Sequence, residues 1–270
     1  YQYVTEIRKL LRYLDICDGN MEEGSMRCDV NVSIMPKGSH QFGKRVEIKN
    51  LNSIRNVQRS IDFEICRHAS LLEKMKKVEV ETRTFDAPSG KTIAMRKKEA
   101  AHDYRYFPEP DLNPIKITSD QLSAIQKEMP PLPNELYDKF TTKFNLSSYD
   151  TLVLLEQKEI ALYFLDILNF TTNYKSAANW VMVNIKSHLN QQAKSIDELE
   201  IKPAYVGELI KLIDENKISH SLASQKVFPK MIEHPNESPS SIAEKYNWIS
   251  QSNEDDLSTV IFQIFKDNPE

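Results

Sequence analysis

The sequence predicts an α+β fold, with an antiparallel sheet up to about residue 96 and an all-helical region after it. Three observations predict it. Apolar residues alternate at Cys28, Val30, Val32 and Ile34 and again at Val46 and Ile48, the period-two signature of strands. Five of the six glycines lie in the first 90 residues, where tight turns are needed. Beyond Ile117 the apolar residues recur at spacings of three and four, and Asp120, Ser147 and Pro203 stand near helix starts.

In chain order, Ile7, Leu10, Leu11 and Leu14 mark a first helix that Asp18-Gly19-Asn20 ends. Two strands follow, joined by a loop over Met35–Phe42. Ser53 then caps a helix with apolar positions at Ile54, Val57, Ile61, Ile65, Leu72 and Met75. Its other face carries Arg55, Arg59 and Arg67, which read as a solvated face or, alternatively, as a phosphate-facing one. Val78–Phe85 alternates, Asp86–Gly90 turns and Lys91–Arg96 returns as a partner strand. The GKT at Gly90–Thr92 lacks the earlier glycine of a phosphate-binding loop and closes a hairpin instead. His102–Asp111 crowds four charged residues and three aromatics around two prolines; it is either an aromatic-anchored loop or a substrate-facing segment. Helices are expected over Gln121–Lys127, Asn134–Phe144, Tyr149–Phe170, Ser176–Leu189, Ala204–Asn216, Ser219–His234, Ser240–Tyr246 and Glu254–Lys266. Met129–Pro133 reads as a linker, and a weaker boundary falls in 190–202. Trp180 and Trp248 are expected to anchor a core or an interface, and His188, His220 and His234 follow no ligand spacing.

Charge is distributed unevenly. Residues 1–120 hold 21 Lys+Arg against 18 Asp+Glu, whereas residues 121–270 hold 14 against 21. All ten arginines lie at or before Arg105, so anionic ligands are expected in the first part, where the planar guanidinium suits phosphate and carboxylate. Three cysteines, odd in number and without CxxC spacing, suit a reducing compartment. No apolar run reaches the roughly 18–20 residues of a membrane span, and the chain opens at Tyr1 on what reads as a helix already under way.

On the polar faces of the first two strands stand Arg27, Asp29, Asn31 and Ser33, and Arg45, Glu47 and Lys49. Should these strands pair, a carboxylate from each meets on one surface among arginines and a lysine. A metal ion beside phosphate groups is held by such an arrangement. Simple cross-strand pairing of Asp29 and Glu47 with Arg45 and Arg27 is the plainer alternative.

MEEGSMRCDVNVSI (residues 21–34), RVEIKNLNSI (45–54) and AHDYRYFPEPDL (101–112) resemble, in this order, the motifs of the GatB family, a component of the tRNA-dependent amidotransferases. AANW at Ala177–Trp180 and LIKLIDENKIS at Leu209–Ser219 resemble the family's helical and YqeY-like tail regions. Val30 stands where Ala is usual and Asn113 where Pro is usual; neither change removes a candidate ligand. The resemblance implies the C-terminal part of a cradle-like catalytic domain over 1–118, a helical domain over 119–195 and a partial YqeY-like tail over 196–270. It also implies that the N-terminal half of the active site, including a GLEVH-type segment, and the end of the tail lie outside this sequence, which taken alone is then expected to be inactive.

The activity implied is ATP-dependent transamidation of misacylated Glu-tRNA(Gln), with Asp-tRNA(Asn) as a second candidate substrate. The side-chain carboxylate is activated as an acyl-phosphate, which ammonia from the amidase component of the complex attacks. Implied cofactors are ATP and Mg²⁺. Partners are the amidase component, a third small subunit as a further candidate, and the misacylated tRNA. By the resemblance Asp29 and Glu47 are metal-binding and catalytic; beside them we expect Lys49 to be catalytic and Arg27, Asn52 and Arg105 to contact the nucleotide phosphates or the substrate carboxylate. A non-catalytic tRNA-binding scaffold of the same complex is the alternative. Because the helical region is acidic and lacks arginine, its tRNA contacts are expected from a few lysines such as Lys175, Lys186, Lys202, Lys211 or Lys217. The Asn-, Lys- and Ile-rich composition points to the mitochondrial matrix, with the bacterial cytoplasm as the alternative.

Overall fold

The computed structural model describes residues 1–97 and 111–250. The segment 102–110, with Arg105, and the helix expected over Glu254–Lys266 lie outside the described residues. The chain forms two compact units, Tyr1–Leu132 and Pro133–Glu270, and the division falls in the proline-rich stretch after Met129.

The first unit begins with helix α1 (Gln2–Tyr13), which buries Tyr13 and ends with Asp15 in the left-handed region. Strands β1 (Cys28–Val32), β2 (Val46–Leu51), β3 (Glu81–Asp86) and β4 (Lys91–Lys97) form one sheet in the order β1-β2-β3-β4. Helix α2 (Ile54–Glu73) lies between β2 and β3 in sequence, and the Ser53 hydroxyl caps it by accepting from the Asn56 amide. Val57 and the half-buried Ile61 pack on Val30, Val32, Ile48, Leu51 and Phe85.

The α+β class is as the sequence predicts, but the sheet is mixed rather than wholly antiparallel. β1 pairs with β2 and β3 with β4 antiparallel, whereas β2 and β3 run parallel. The cause is α2: a helical crossover of 20 residues returns the chain to the start of the sheet, so the next strand runs the same way.

A second difference concerns the phase of α2. The expected apolar face is correct at Val57 and Ile61, but Ile65 and Leu72 are exposed and Met75 lies past the helix end. The buried stripe continues instead through Ser60, Glu64 and His68. Glu64, 0% exposed, accepts from Arg67 (Nε 3.0 Å, Nη2 2.8 Å) and from the Thr92 hydroxyl, and lies 3.2 Å from Arg83 Nε. Arg83 also donates to Glu81 (2.6 Å) and to the Thr92 carbonyl (2.8 Å). Arg67, expected on a solvated face, is therefore turned inward, while Arg59 lies over the Phe85 ring, 5.4 Å from its centroid. Beyond Ile61, a cluster of charges takes over from the hydrocarbon core along α2.

This cluster has a pH signature. Burial holds the His68 imidazole below its ordinary pKa; the Glu64 carboxylate, 3.0 Å away, opposes that shift, and the Arg67 and Arg83 charges reinforce it. Burial pushes Glu64 up, but the hydrogen bonds from Arg67 and Thr92 and the charges of Arg67 and Arg83 outweigh it, so Glu64 also sits low. Both groups bind protons more readily in the unfolded chain. Their contribution to stability is present above their unfolded values and is lost as pH falls, beginning for His68 near about 6.5 and for Glu64 near about 4.3. Hydrogen exchange of the α2 amides is expected to speed up as pH is lowered from about 7 to about 5.5, after correction for the intrinsic rate, and His68→Gln to flatten that dependence. A wild-type profile already flat over this range removes the assignment.

Helix α3 (Ser119–Glu128) closes the first unit and begins with a capping box between Thr118 and Gln121. The second unit is helical, as expected. The Tyr149–Phe170 stretch, expected as either a continuous or an interrupted helix, is interrupted, dividing into Ser148–Leu154 and Lys158–Ile167. Wider π-type turns occupy Lys139–Lys143, Trp180–Ile185 and Ala223–Val227 within longer helical runs. Phe140, Phe164, Trp180, Leu209, Ile210 and Met231 are its large fully buried side chains, and the Phe140 and Phe164 rings meet edge to face at 5.1 Å. Contacts run across residue 195: the Tyr163 hydroxyl donates to the Ile201 carbonyl (2.8 Å), and a Cβ at Gly207 would stand 2.5 Å from Phe170 Cβ. Trp180 is fully buried, and Trp248 stacks on Tyr246 at 4.7 Å. Among the described residues no helix is long and apolar enough to cross a membrane.

Candidate functional site

The site face of the sheet is the one turned away from α2. Alternation sends Val46 and Ile48 into the core and leaves Glu47 and Lys49 on the opposite side, joined from β1 by Asp29 and Asn31. Asn31 stands directly opposite Glu47. At the end of β2 the alternation breaks: Asn50 has φ +58°, and the register passes from Val30↔Ile48 to Cys28↔Leu51. One extra residue on β2 therefore faces Asp29, a bulge of the kind that re-aims side chains. It returns Leu51 to the core and presents Lys49 and Asn50 together beside Asp29. A left-handed residue is tolerated best as glycine or asparagine. Asn50→Gly is expected to be neutral within a few tenths of a kcal/mol, and Asn50→Val to cost about 1–2 kcal/mol, read from hydrogen exchange of the β1 and β2 amides.

Lys49 Nζ stands 3.8 Å from Asp29 Oδ2 and 3.7 Å from Glu47 Oε1. The two carboxylates thus converge on one positive charge. Glu47 Oε2 accepts the Thr82 hydroxyl from β3 at 3.1 Å, and Asn50 Nδ2 reaches Thr84 Oγ1 at 3.5 Å. Beside this face opens a cleft of about 430 Å³ lined by Met21–Gly24, Met26–Asp29 and Lys49–Asn52. Its rim is a turn in which Asn20 Oδ1 accepts from the Glu22 amide and the Asn20 carbonyl from the Ser25 amide, with Gly24 at φ +83°. Arg27, Asp29, Lys49 and Asn52 meet around this cleft; Glu47 stands on the same face outside its lining. Asn52 Oδ1 accepts from Asn56 in the first turn of α2 at 2.9 Å, so the helix N-terminus opens beside the cleft with no acid in its first turn to neutralise it.

Among the described residues no group of three or more His, Cys, Asp or Glu is gathered closely enough to hold a metal ion unaided. Sequence reading missed two parts of the site. The Thr82 hydroxyl is invisible because threonine is ordinary in strands, and the bulge is invisible because it uses asparagine rather than glycine. Four of the five lysines expected to meet tRNA have nearby partners: Lys186 and Lys217 pair with Glu156 and Glu215, Lys175 lies 3.9 Å from Asp150, and Lys202 sits over the Tyr205 ring.

Two carboxylates bracketing a lysine on a sheet face, beside a cleft and a helix N-terminus without acids, form a candidate site for a charged ligand on the α+β unit. Comparison with known proteins gives the class its family. A model described as the GatB/GatE catalytic domain matches residues 1–123, and one described as the GatB domain matches 162–270. Similar proteins, named as the B component of aspartyl/glutamyl-tRNA(Asn/Gln) amidotransferase, occur in Trichlorobacter lovleyi (43% identical, covering 98% of this chain and 56% of the relative) and Thermodesulfovibrio yellowstonii (43%, 85% and 48%). A third is found in Gloeothece citriformis (40%, 99% and 54%). The chain belongs to the GatB family, and it spans about half the length of the curated relatives it matches.

Proposed function

We propose that this chain forms part of the carboxylate-activating site of an aminoacyl-tRNA amidotransferase. The observation that carries the reading is the convergence of Asp29 and Glu47 on a single positive charge beside the cleft. In the proposed reaction a side-chain carboxylate oxygen of the misacylated tRNA attacks the γ-phosphorus of ATP, and ADP leaves. Ammonia then attacks the acyl carbon and expels phosphate. Carboxylates are poor electrophiles, and the phosphoryl group turns an oxygen into a leaving group. The protein's task is positioning and neutralisation.

Asp29 and Glu47 suit Mg²⁺, which takes one or two carboxylates from protein and fills the rest of its shell with phosphate oxygens and water. Bound there, the ion would neutralise charge on the phosphates. Lys49 and Arg27 offer charge to phosphate or carboxylate oxygens, and Asn52 and the start of α2 offer hydrogen-bond donors to the same groups. Glu-tRNA(Gln) is the proposed substrate, with Asp-tRNA(Asn) as the second; the relatives' name covers both. An amidase component supplying ammonia and a third small subunit are the proposed partners. The composition supports a mitochondrial setting, while the bacterial relatives fit a cytoplasmic one.

The test uses the full-length protein in its assembled complex. Asp29→Ala and Glu47→Ala are expected to abolish ATP-dependent phosphate release on misacylated tRNA while leaving tRNA binding near wild type. Normal turnover by both variants would return the chain to the scaffolding role.

A further inference from the structure

We infer that Thr82 is a positioning residue for Glu47, holding that carboxylate in its working orientation; this rests on the carboxylate-activating reading above. Thr82 and Glu47 are register partners across the parallel β2–β3 pair. The Thr82 side chain is almost wholly enclosed, with the residue 2% exposed, and its hydroxyl donates to Glu47 Oε2 at 3.1 Å. Glu47 Oε1 faces Lys49 Nζ at 3.7 Å. One oxygen is thus oriented by a buried neutral donor and the other by a mobile cation.

These two restraints differ in kind. The lysine ammonium sits on a long stem and can move toward an incoming phosphate, as a charge with three rotatable donors does. The threonine cannot. Its β-branched side chain is stiff about χ1, and enclosure on a central strand leaves it nowhere to turn. When Lys49 turns to a ligand, the Thr82 hydroxyl still fixes the plane of the carboxylate. Strand propensity explains a threonine here equally well as a valine. What valine would not supply is the proton on Oγ1, and a buried hydroxyl without an acceptor is costly. Glu47 is its acceptor.

Partners of this type that orient a ligating or reacting carboxylate alter metal affinity or activity by about 10–100-fold when removed. In the assembled complex, Thr82→Val is expected to lower kcat for amidation and to weaken Mn²⁺–ATP binding, followed by electron paramagnetic resonance, each by about 10–100-fold. The KM for aminoacyl-tRNA should stay near wild type. Thr82→Ser, which keeps the hydroxyl, should recover both quantities, and hydrogen exchange of the β2 and β3 amides should confirm that the valine variant is folded. Equal impairment of the valine and serine variants would make the role one of packing and overturn the inference. So would wild-type turnover and Mn²⁺–ATP binding by Thr82→Val alongside an inactive Glu47→Ala. Should Glu47→Ala itself turn over normally, Glu47 has no part in the reaction and this inference falls; the carboxylate-activating reading falls as well only when Asp29→Ala also turns over normally.

Discussion

Replacing Glu64 by alanine is expected to destabilise the sheet-bearing unit by about 3–5 kcal/mol, the cost typical of removing one member of a buried ion pair. Glu64 is wholly enclosed and is the acceptor on which Arg67, Arg83 and Thr92 converge. Alanine leaves two guanidinium groups facing each other in a poorly hydrated space, and their repulsion adds to the lost hydrogen bonds. Glu64→Gln keeps the shape and one acceptor oxygen, so its cost should fall between wild type and alanine. Arg83 retains Glu81 in either variant, which limits the damage at β3. The readout has to be local. Both tryptophans, Trp180 and Trp248, lie in the helical unit, so their fluorescence follows the wrong unit. Exchange of the α2 and β3 amides reports the right one. Retention of wild-type protection in Glu64→Ala would show that the cluster contributes nothing net, as replacing a buried ionic group by carbon sometimes does.

The second large effect is chemical. Asp29→Asn and Glu47→Gln preserve volume and remove one negative charge each, so they separate charge from packing. Under the proposed reaction each should lower phosphate release by about 10²–10³-fold, the range seen when a single preorganised electrostatic group is removed at an active site. The pair should be far from additive, because both carboxylates act on the same cation. Once one is neutral, losing the other removes less. Strict additivity would mean that the two acids serve separate steps.

Much of this was legible from the residues. Strict alternation in β1 and the start of β2 placed Asp29, Glu47 and Lys49 on one face, because a buried strand face tolerates no slip of register. The cap at Ser53 and the linker at Met129–Pro133 were equally plain. Three features were not. The bulge at Asn50 depends on one backbone torsion, and asparagine signals it only weakly. The inward stripe of α2 runs through Glu64 and His68, residues whose polarity argues for solvent, and only their mutual proximity reverses that argument. The parallel β2–β3 pair is signalled only by the long helix between the two strands, whereas the hairpin at Asp86–Gly90 signals antiparallel pairing directly.

The crossover also sets an order of assembly. The β3–β4 hairpin closes over a short turn and α2 forms locally, whereas Glu47 and Thr82 are 35 positions apart and their contact closes a far longer loop. The chemical face therefore depends on a contact of long sequence separation, which local helix and hairpin formation do not supply. A growing chain halted before Thr82 would display Glu47 beside Lys49 without the hydroxyl that later meets its Oε2. Quality control that samples the protein at that stage would find a formed helix and an unfinished site.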